Sequence, residues 1–246
     1  MNQKNIRIGD QYHHDTRYRR DAMPQGGLDW ANPPSPYKGF PSTLKRIRLQ
    51  TADPMGGDPI WQVIAQRRSV RDFSPAPISF WELSQLLWAT QGVTWRAWGV
   101  DFRAAPSAGA LYPIETYVVV NRVEELVTGL YHYQVREGEL VVLREGDFGR
   151  DLARAGLEQE MLEEAACVFA WTAMVGRSKW KYRERAYRYI YMDAGHVGQN
   201  FYLAAAALNL GCCTVGAFFD EEVDRLIGVD GKDEISVYLG AVGKIK

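Results

Sequence analysis

One long apolar segment, Tyr189 to Leu210, cannot be left in water. Its apolar residues run almost all round a helical wheel, and four alanines at 204–207 allow another element to approach closely. We therefore predict one long helix that lies inside the protein or in a dimer interface. A membrane span is not predicted, because the segment also contains Asp193, His196, Gln199 and Asn200.

Several β-branched and apolar runs predict strands around that helix. Ala166 to Met174 is apolar on both faces, which is typical of a central strand. Other predicted strands are 115–121, 213–218 and 235–242, with a hairpin of 130–135 and 139–143. Helices are predicted at 60–66, 79–92, 123–128 and 149–165. Strands interleaved with helices predict an α+β or α/β domain.

Composition excludes several classes of protein. The net charge is −1, which leaves no excess of basic residues for an extended nucleic-acid surface. The three cysteines cannot make a disulfide framework and lack metal-site spacing, so we expect no metal and a cytoplasmic location. The polar N-terminus does not resemble a secretory signal. We read Cys212 and Cys213 as small packing residues.

Residues 1–59 are predicted to form an extended N-terminal arm, and 60–246 the main domain. The arm is rich in Pro, Gly and Asp and has no sustained period. Trp30, Tyr37 and Phe40 give it apolar surface, so we expect it to wrap over the body or over a partner subunit. The alternative is a loose extension.

A basic segment near one third of the chain is a candidate phosphate site. Arg67, Arg68, Ser69 and Arg71 place three guanidinium groups and a hydroxyl within five positions. Planar forks and a hydroxyl at one place suit a phosphate group. If the segment is extended, Arg68 points to the opposite side or reaches the ribityl chain of a flavin. Taken alone, the segment is equally consistent with a solvated basic turn.

Two small-residue loops are candidates for binding a flat ring. Pro106, Ser107 and Gly109 lie in a loop directly before a predicted strand, where a hydroxyl and backbone amides are available. Val215, Gly216 and Ala217 form a second glycine-bearing segment that permits close backbone approach. Each alone is equally an ordinary loop. Together with the basic segment they suggest a bound flavin phosphate.

With these segments in order, the chain resembles the nitroreductase superfamily of FMN flavoproteins, and within it the SagB-type dehydrogenase branch that includes azoline-oxidising enzymes. The resemblance covers residues from about 60 to the C-terminus. It rests on RRSVRDF at 67–73, APSAGALYPIETYVV at 105–119, YMDAGHVGQNFYLAAAALNLG at 191–211 and the strand at 213–217. It implies an α+β fold with a central mixed sheet flanked by helices and a long buried helix at the dimer interface.

The resemblance also implies roles for individual residues in a homodimer with FMN at each of two interfaces. Arg67, Ser69 and Arg71 would hold the phosphate, with Lys244 as a further contact. Ser107 and Gly109 would lie along the isoalloxazine ring. The backbone at Gly216 and Ala217 would approach flavin N5.

Lys181 and Tyr182 match the adjacent Lys-Tyr pair of the azoline oxidases in that branch. Oxidation of an azoline to an azole removes a carbon-bound proton while hydride goes to flavin N5, so the pair would serve as base and proton relay. The alternative is a solvated, charged face, because Arg177, Lys179, Arg183 and Arg185 crowd the same segment.

The sequence thus predicts an FMN-dependent oxidoreductase and leaves its substrate open. One candidate is an azoline-like small molecule or peptide-derived substrate. The other is a nitroaromatic or quinone reduced with NAD(P)H as an exchanging co-substrate. A different class of protein, a non-catalytic flavin-binding dimeric scaffold, is a third alternative. His196 and Asp193 are assigned a packing or interface role, and Trp88, Trp95, Trp98 and Phe102 either line a pocket or fill the core.

Overall fold

Nine strands lie within the part of the chain that the computed structural model describes, residues 7–23 and 26–246. They are β1 (Arg46–Arg48), β2 (Val93–Ala97), β3 (Val100–Arg103), β4 (Ile114–Val120), β5 (Gly129–Gln134), β6 (Glu139–Glu145), β7 (Cys167–Met174), β8 (Leu210–Val215) and β9 (Glu234–Lys244). Seven of them form one sheet in the order β1-β6-β5-β4-β7-β9-β8, and β2 pairs with β3 as a separate hairpin.

The helices of the same described residues are α1 (Ile8–Asp15), α2 (Ile60–Gln66), α3 (Phe80–Gln91), α4 (Gly149–Ala155), α5 (Met161–Glu164), α6 (Val175–Tyr182), α7 (Ala186–Ala207) and α8 (Asp220–Ile227). The predicted capping box starts α3: Ser79 Oγ accepts from the Glu82 backbone N–H, and the Glu82 carboxylate accepts from the Ser79 backbone N–H. The predictions of α2, α3 and the β5–β6 hairpin are confirmed.

The α+β class is confirmed, but the sheet is antiparallel rather than mixed. The connection from β7 through α6 and α7 to β8 joins two strands that run in the same direction. These strands are not neighbours, however, because β9 lies between them and is antiparallel to both. An interleaved helix therefore does not impose parallel pairing here.

The core has one apolar layer on each face of the sheet. On one face, Trp171 and Phe169 of β7 pack against Phe201 of α7, with ring centroids 5.3 and 4.9 Å apart. On the other face, Val168 and Ala170 pack with residues of α4, α5 and α8. Burial of β7 on both faces explains its continuous apolar sequence.

Helix α7 is buried along one side and exposed along the other. Ile190, Ala194 and Phe201 are buried, whereas Tyr191 and Met192 are each 56% exposed. The prediction of a long, largely apolar helix is confirmed, and its predicted place in a dimer interface stays a prediction. Among residues 7–23 and 26–246, no helix combines the length and apolarity that crossing a bilayer requires.

Four local predictions differ from the structure. Strand β8 covers Leu210–Val215 rather than 213–218, because α7 already ends at Ala207. Residues 123–128 are not helical, because Val123 pairs with Ile78 and Glu125 has a positive φ of 66°. The predicted helix 149–165 is broken into α4 and α5, with positive φ at Leu157 and Glu158. The arm contains α1 and also β1, which is formed by tertiary pairing to β6 rather than by local propensity.

Candidate active site

The loop before β4 is fastened to α7 by a buried carboxylate. Ser107 Oγ donates to Asp193 Oδ2 at 2.6 Å, and the Ala108 backbone N–H donates to Asp193 Oδ1 at 3.2 Å. The Ser107 hydroxyl also accepts from the Tyr112 backbone N–H at 2.9 Å. Burial raises the pKa of Asp193, and these two donated hydrogen bonds oppose that rise. Ser107 therefore shapes the loop from within.

The same loop has an unusual backbone. Gly109, Ala110 and Tyr112 have φ values of 68°, 53° and 45°, so two residues with side chains occupy the left-handed region. Such conformations cost free energy and persist only where the surroundings impose them. Here the exposed Gly109 and its neighbour Pro106 form the outer surface of the loop.

The Lys181–Tyr182 pair lies against Gly109 of this loop. A Cβ at position 109 would lie 2.8 Å from Tyr182 Oη and 3.0 Å from Lys181 Nζ, so both polar ends converge on the glycine. The pair ends α6, and Arg183 follows with a φ of 51°. The Tyr182 ring lies 4.3 Å from that of Tyr189, and burial raises the pKa of Tyr182.

Arg177 is not part of a solvated face, contrary to the alternative drawn from the sequence. It is 4% exposed, lies 2.6 Å from Glu115 Oε1 and donates to the Tyr112 carbonyl at 2.9 Å. In helix α6, Lys181 is exposed and Arg177 is buried. Arg177 stabilises the strained loop through its hydrogen bond to the Tyr112 carbonyl.

The basic segment lies against the other end of α7. Ser69 Oγ is 3.0 Å from Tyr202 Oη, which also accepts from the Thr214 backbone N–H at 3.0 Å. The Arg67 guanidinium stacks 5.0 Å from the Tyr202 ring centroid. The Val70 backbone N–H donates to the Cys212 carbonyl at 2.9 Å, which fixes the segment beside β8.

The cations of this segment differ in their partners. Within the described residues, neither Arg67 nor exposed Arg71 forms an ion pair with a carboxylate. Arg68 turns back to donate to the Ala65 and Arg67 carbonyls at the end of α2. Lys244 Nζ lies 2.5 Å from Glu82 Oε1, so its charge is already paired at the start of α3.

Gly216 and Ala217 continue this surface past the end of β8. Both are exposed, whereas Val215 is buried. Tyr238 lies beneath Gly216: its hydroxyl is 2.6 Å from Thr214 Oγ1, and its ring approaches Gly198 of α7 so closely that a Cβ there would be 2.8 Å away. Small residues thus leave backbone at the surface at positions 216 and 217.

The predicted site residues form two groups on opposite flanks of α7. Asp193 marks the flank that carries the 106–112 loop and the Lys181–Tyr182 pair, and Tyr202 marks the flank that carries the basic segment and Gly216. Nine residues separate them, which is about two and a half helical turns. The exposed strip with Tyr191 and Met192 belongs to the same helix. Within one chain, no hydrogen bond between described residues links the two groups.

Sequence reasoning missed Tyr202, Tyr238 and Tyr189 as members of these groups and assigned Asp193 only a packing role. Their importance depends on which flank of α7 or β9 meets which loop. The spacing of nine between Asp193 and Tyr202 is the one local signal that could have separated the flanks.

Other candidates are not reactive groups. Burial raises the pKa of the Cys212 thiol to about 12. Trp95 and Trp98 are 54% and 84% exposed on the β2–β3 hairpin, so they do not fill the core. No cluster of His, Cys, Asp or Glu suited to a metal ion occurs in residues 7–23 and 26–246.

Comparison with known proteins identifies close relatives. Residues 64–244 match the model of the Nitroreductase family. The nitroreductase candidate MJ1384 of Methanocaldococcus jannaschii is 38% identical over 167 residues, which are 68% of this chain and 83% of that protein. The trifolitoxin-processing protein TfxB of Rhizobium leguminosarum bv. trifolii is 36% identical over 142 residues, 52% of this chain and 36% of TfxB.

A solved structure is similar over nearly the whole chain. The crystal structure of a nitroreductase candidate from Anabaena variabilis has a TM-score of 0.80 and 30% identity, and the match covers 96% of this chain. The chain spans only 47% of that longer protein.

Proposed function

Because the chain belongs to the nitroreductase family of oxidoreductases, we propose that it is an FMN-dependent oxidoreductase of the SagB type, and that it oxidises azoline rings in peptide-derived substrates. The observation that carries the proposal is the convergence of Lys181 and Tyr182 on Gly109. The amine of Lys181 and the phenol of Tyr182 lie together beside a strained, small-residue loop, where they could act as base and proton relay.

The residues present fit an FMN phosphate. Arg67 and Arg71 lack carboxylate partners among the described residues, and Ser69 adds a hydroxyl between them. An anion there would gain charge-assisted hydrogen bonds that no side chain of the described segment supplies. The exposed backbone at Gly216 and Ala217 offers amides to a flat ring. Lys244 is a weaker candidate, because Glu82 already pairs with it.

A homodimer would complete the site. The two groups of residues lie on opposite flanks of α7, and the face between them is exposed and carries apolar side chains. Further exposed apolar residues lie on α2: Ile60, Trp61 and Ile64, which are 50%, 80% and 51% exposed. Burial of these faces against a second copy, related by a two-fold axis, would bring the loop of one chain towards the basic segment of the other.

The chain's own residues supply the acid–base chemistry in this proposal. When bound, FMN supplies a two-electron acceptor for hydride. Lys181 Nζ accepts the carbon-bound proton of the azoline, and Tyr182 Oη beside it holds or relays that proton. Asp193 and Arg177 fix the loop on which both side chains rest.

A peptide substrate is favoured by the similarity to TfxB, whose name describes it as trifolitoxin-processing. The runner-up is NAD(P)H-dependent reduction of nitroaromatics or quinones, favoured by the similarity to the nitroreductase candidate MJ1384. That chemistry needs no lysine base at Gly109. The two activities therefore differ in their dependence on Lys181.

The test is turnover of a synthetic peptide carrying one thiazoline ring, with the thiazole product detected by mass spectrometry. We expect oxidation by the wild type, and loss of it with retained flavin in Lys181→Ala and Tyr182→Phe. Equal turnover in these variants would exclude the pair from the mechanism. Reduction of a quinone by NADPH, with no thiazoline oxidation, would favour the runner-up. Bound flavin with neither activity would favour a scaffold.

A further inference from the structure

Tyr182 is held in place by a second tyrosine, and that tyrosine by an arginine. The Tyr182 and Tyr189 rings pack with centroids 4.3 Å apart. Arg185 Nε donates to Tyr189 Oη at 3.0 Å. Arg185 therefore fixes the hydroxyl end of the ring on which Tyr182 rests.

Arg185 is in turn tied to the N-terminal arm. Its Nη1 donates to the Thr16 carbonyl at 2.6 Å, and its guanidinium stacks 4.4 Å from the Tyr18 ring centroid. The Arg185 guanidinium thus contacts both the arm and Tyr189. A guanidinium can do this because its donors are arranged in a rigid fork.

The junction between α6 and α7 is held partly by the pairing of Lys179 with Glu184 at 3.3 Å and partly by the arm. Arg183 has a φ of 51°, and no side chain of the described residues caps the N-terminus of α7. The arm supplies two hydrogen bonds there: Tyr12 Oη accepts from the Arg188 backbone N–H at 3.1 Å and donates to the Glu184 carbonyl at 3.3 Å. A strained backbone persists only where neighbouring residues stabilise it, and the arm contributes to that here.

We infer that Arg185 is a positioning residue for Tyr182, acting through Tyr189, and that the N-terminal arm holds Arg185 in place. The catalytic consequence rests on the proposed function, because it requires Tyr182 to take part in turnover. The positional consequence does not.

A neighbouring arginine provides the matched control. Arg188 also binds the arm, since its Nε donates to Thr16 Oγ1 at 2.8 Å. It makes no hydrogen bond to Tyr189 or Tyr182 among the described residues. Arg188→Gln therefore weakens the arm at Thr16 but leaves the hydrogen bond from Arg185 to Tyr189 intact.

The experiment measures the position of Tyr182 and turnover separately. The protein is labelled with fluorotyrosine, and the Tyr182 resonance is assigned by its disappearance in Tyr182→Phe. We expect Arg185→Gln to shift this resonance and to lower kcat for the thiazoline peptide on the order of tenfold or more, with KM and flavin content unchanged. Arg185→Lys, which keeps a donor and the charge, should recover part of the loss. Arg188→Gln should shift the Tyr182 resonance and lower kcat by clearly less than Arg185→Gln does.

Several outcomes would overturn the inference. An unchanged Tyr182 resonance in Arg185→Gln would do so, and so would equal shifts in Arg185→Gln and Arg188→Gln. If Arg185→Gln fails to fold, Tyr189→Phe decides, because it removes only the hydroxyl that Arg185 binds and is expected to give the same shift. A shift of the Tyr182 resonance in Arg185→Gln, together with a wild type that oxidises no thiazoline, would refute the proposed function and leave the positioning role intact.

Discussion

Gly109 lies directly against Tyr182, where a Cβ would come within 2.8 Å of the phenolic oxygen. Gly109→Ala therefore adds both a clash and the strain of a side chain at a φ of 68°. We expect kcat for the thiazoline peptide to fall on the order of tenfold or more, because the added methyl group displaces Lys181 and Tyr182.

The control for this substitution is Gly99→Ala in the β2–β3 turn. Gly99 has a φ of 75°, but nothing lies within 4 Å of its added Cβ. It reproduces the backbone strain alone, at about 1–2 kcal/mol of stability. Equal activity losses in the two variants would show that strain, rather than contact with the pair, is responsible.

The phosphate assignment predicts a large loss of flavin from Arg67→Gln combined with Arg71→Gln. Each lost charged contact costs about 1.5–3 kcal/mol, so affinity for FMN should fall at least on the order of a hundredfold. Arg68→Gln is the control, because Arg68 is engaged by the end of α2. Flavin titration followed by fluorescence measures all three constants. An unchanged constant in the double variant would remove the phosphate from this segment.

Titration of the buried Asp193 should make the free energy of unfolding depend on pH. Burial raises the pKa of Asp193 in the folded state above 3.8, the ordinary value that applies to the unfolded state. Between the unfolded-state and the folded-state pKa, the folded state therefore holds more protons than the unfolded state. Its contribution to the free energy of unfolding therefore falls as pH rises through that window and is constant above it. Asp193→Asn has no such titration.

Urea unfolding at a series of pH values measures this effect. On acidification through the window, the wild type should gain stability relative to Asp193→Asn. A flat difference would show that the hydrogen bonds from Ser107 and Ala108 balance the effect of burial, and the opposite slope would show that they outweigh it.

The proposed dimer predicts that a charge on the exposed face of α7 separates the chains. Met192→Glu should give a monomer in sedimentation analysis and lose flavin with it, because each site needs both copies. Val127→Glu places the same charge at a site of similar exposure, 52% against 56%, outside that face. A Met192→Glu dimer that retains flavin would contradict the proposed interface.

Local signals predicted those parts of the structure that depend on neighbouring residues alone. The capping box at Ser79 and the four-residue turn between β5 and β6 are encoded within a few positions. Residue types suggested the phosphate site at the basic segment, and the family resemblance suggested the role of the Lys181–Tyr182 pair; both assignments stay predictions.

Relationships across the fold could not be read in this way. The ion pair of Arg177 with Glu115 requires α6 to pack behind β4, and nothing near Arg177 in the chain indicates it. Likewise, Tyr202 joins the basic segment only because α7 presents it beside β8. The sheet is antiparallel because β9 lies between β7 and β8, the two strands that α6 and α7 connect.

The central claim is that FMN binds here, and identification of the cofactor tests it most directly. The purified protein is examined by absorption spectroscopy, its cofactor is released by denaturation, and the released compound is compared with FMN, FAD and riboflavin by chromatography. We predict flavin absorption bands and release of FMN. A colourless protein that also fails to take up added FMN would contradict the account.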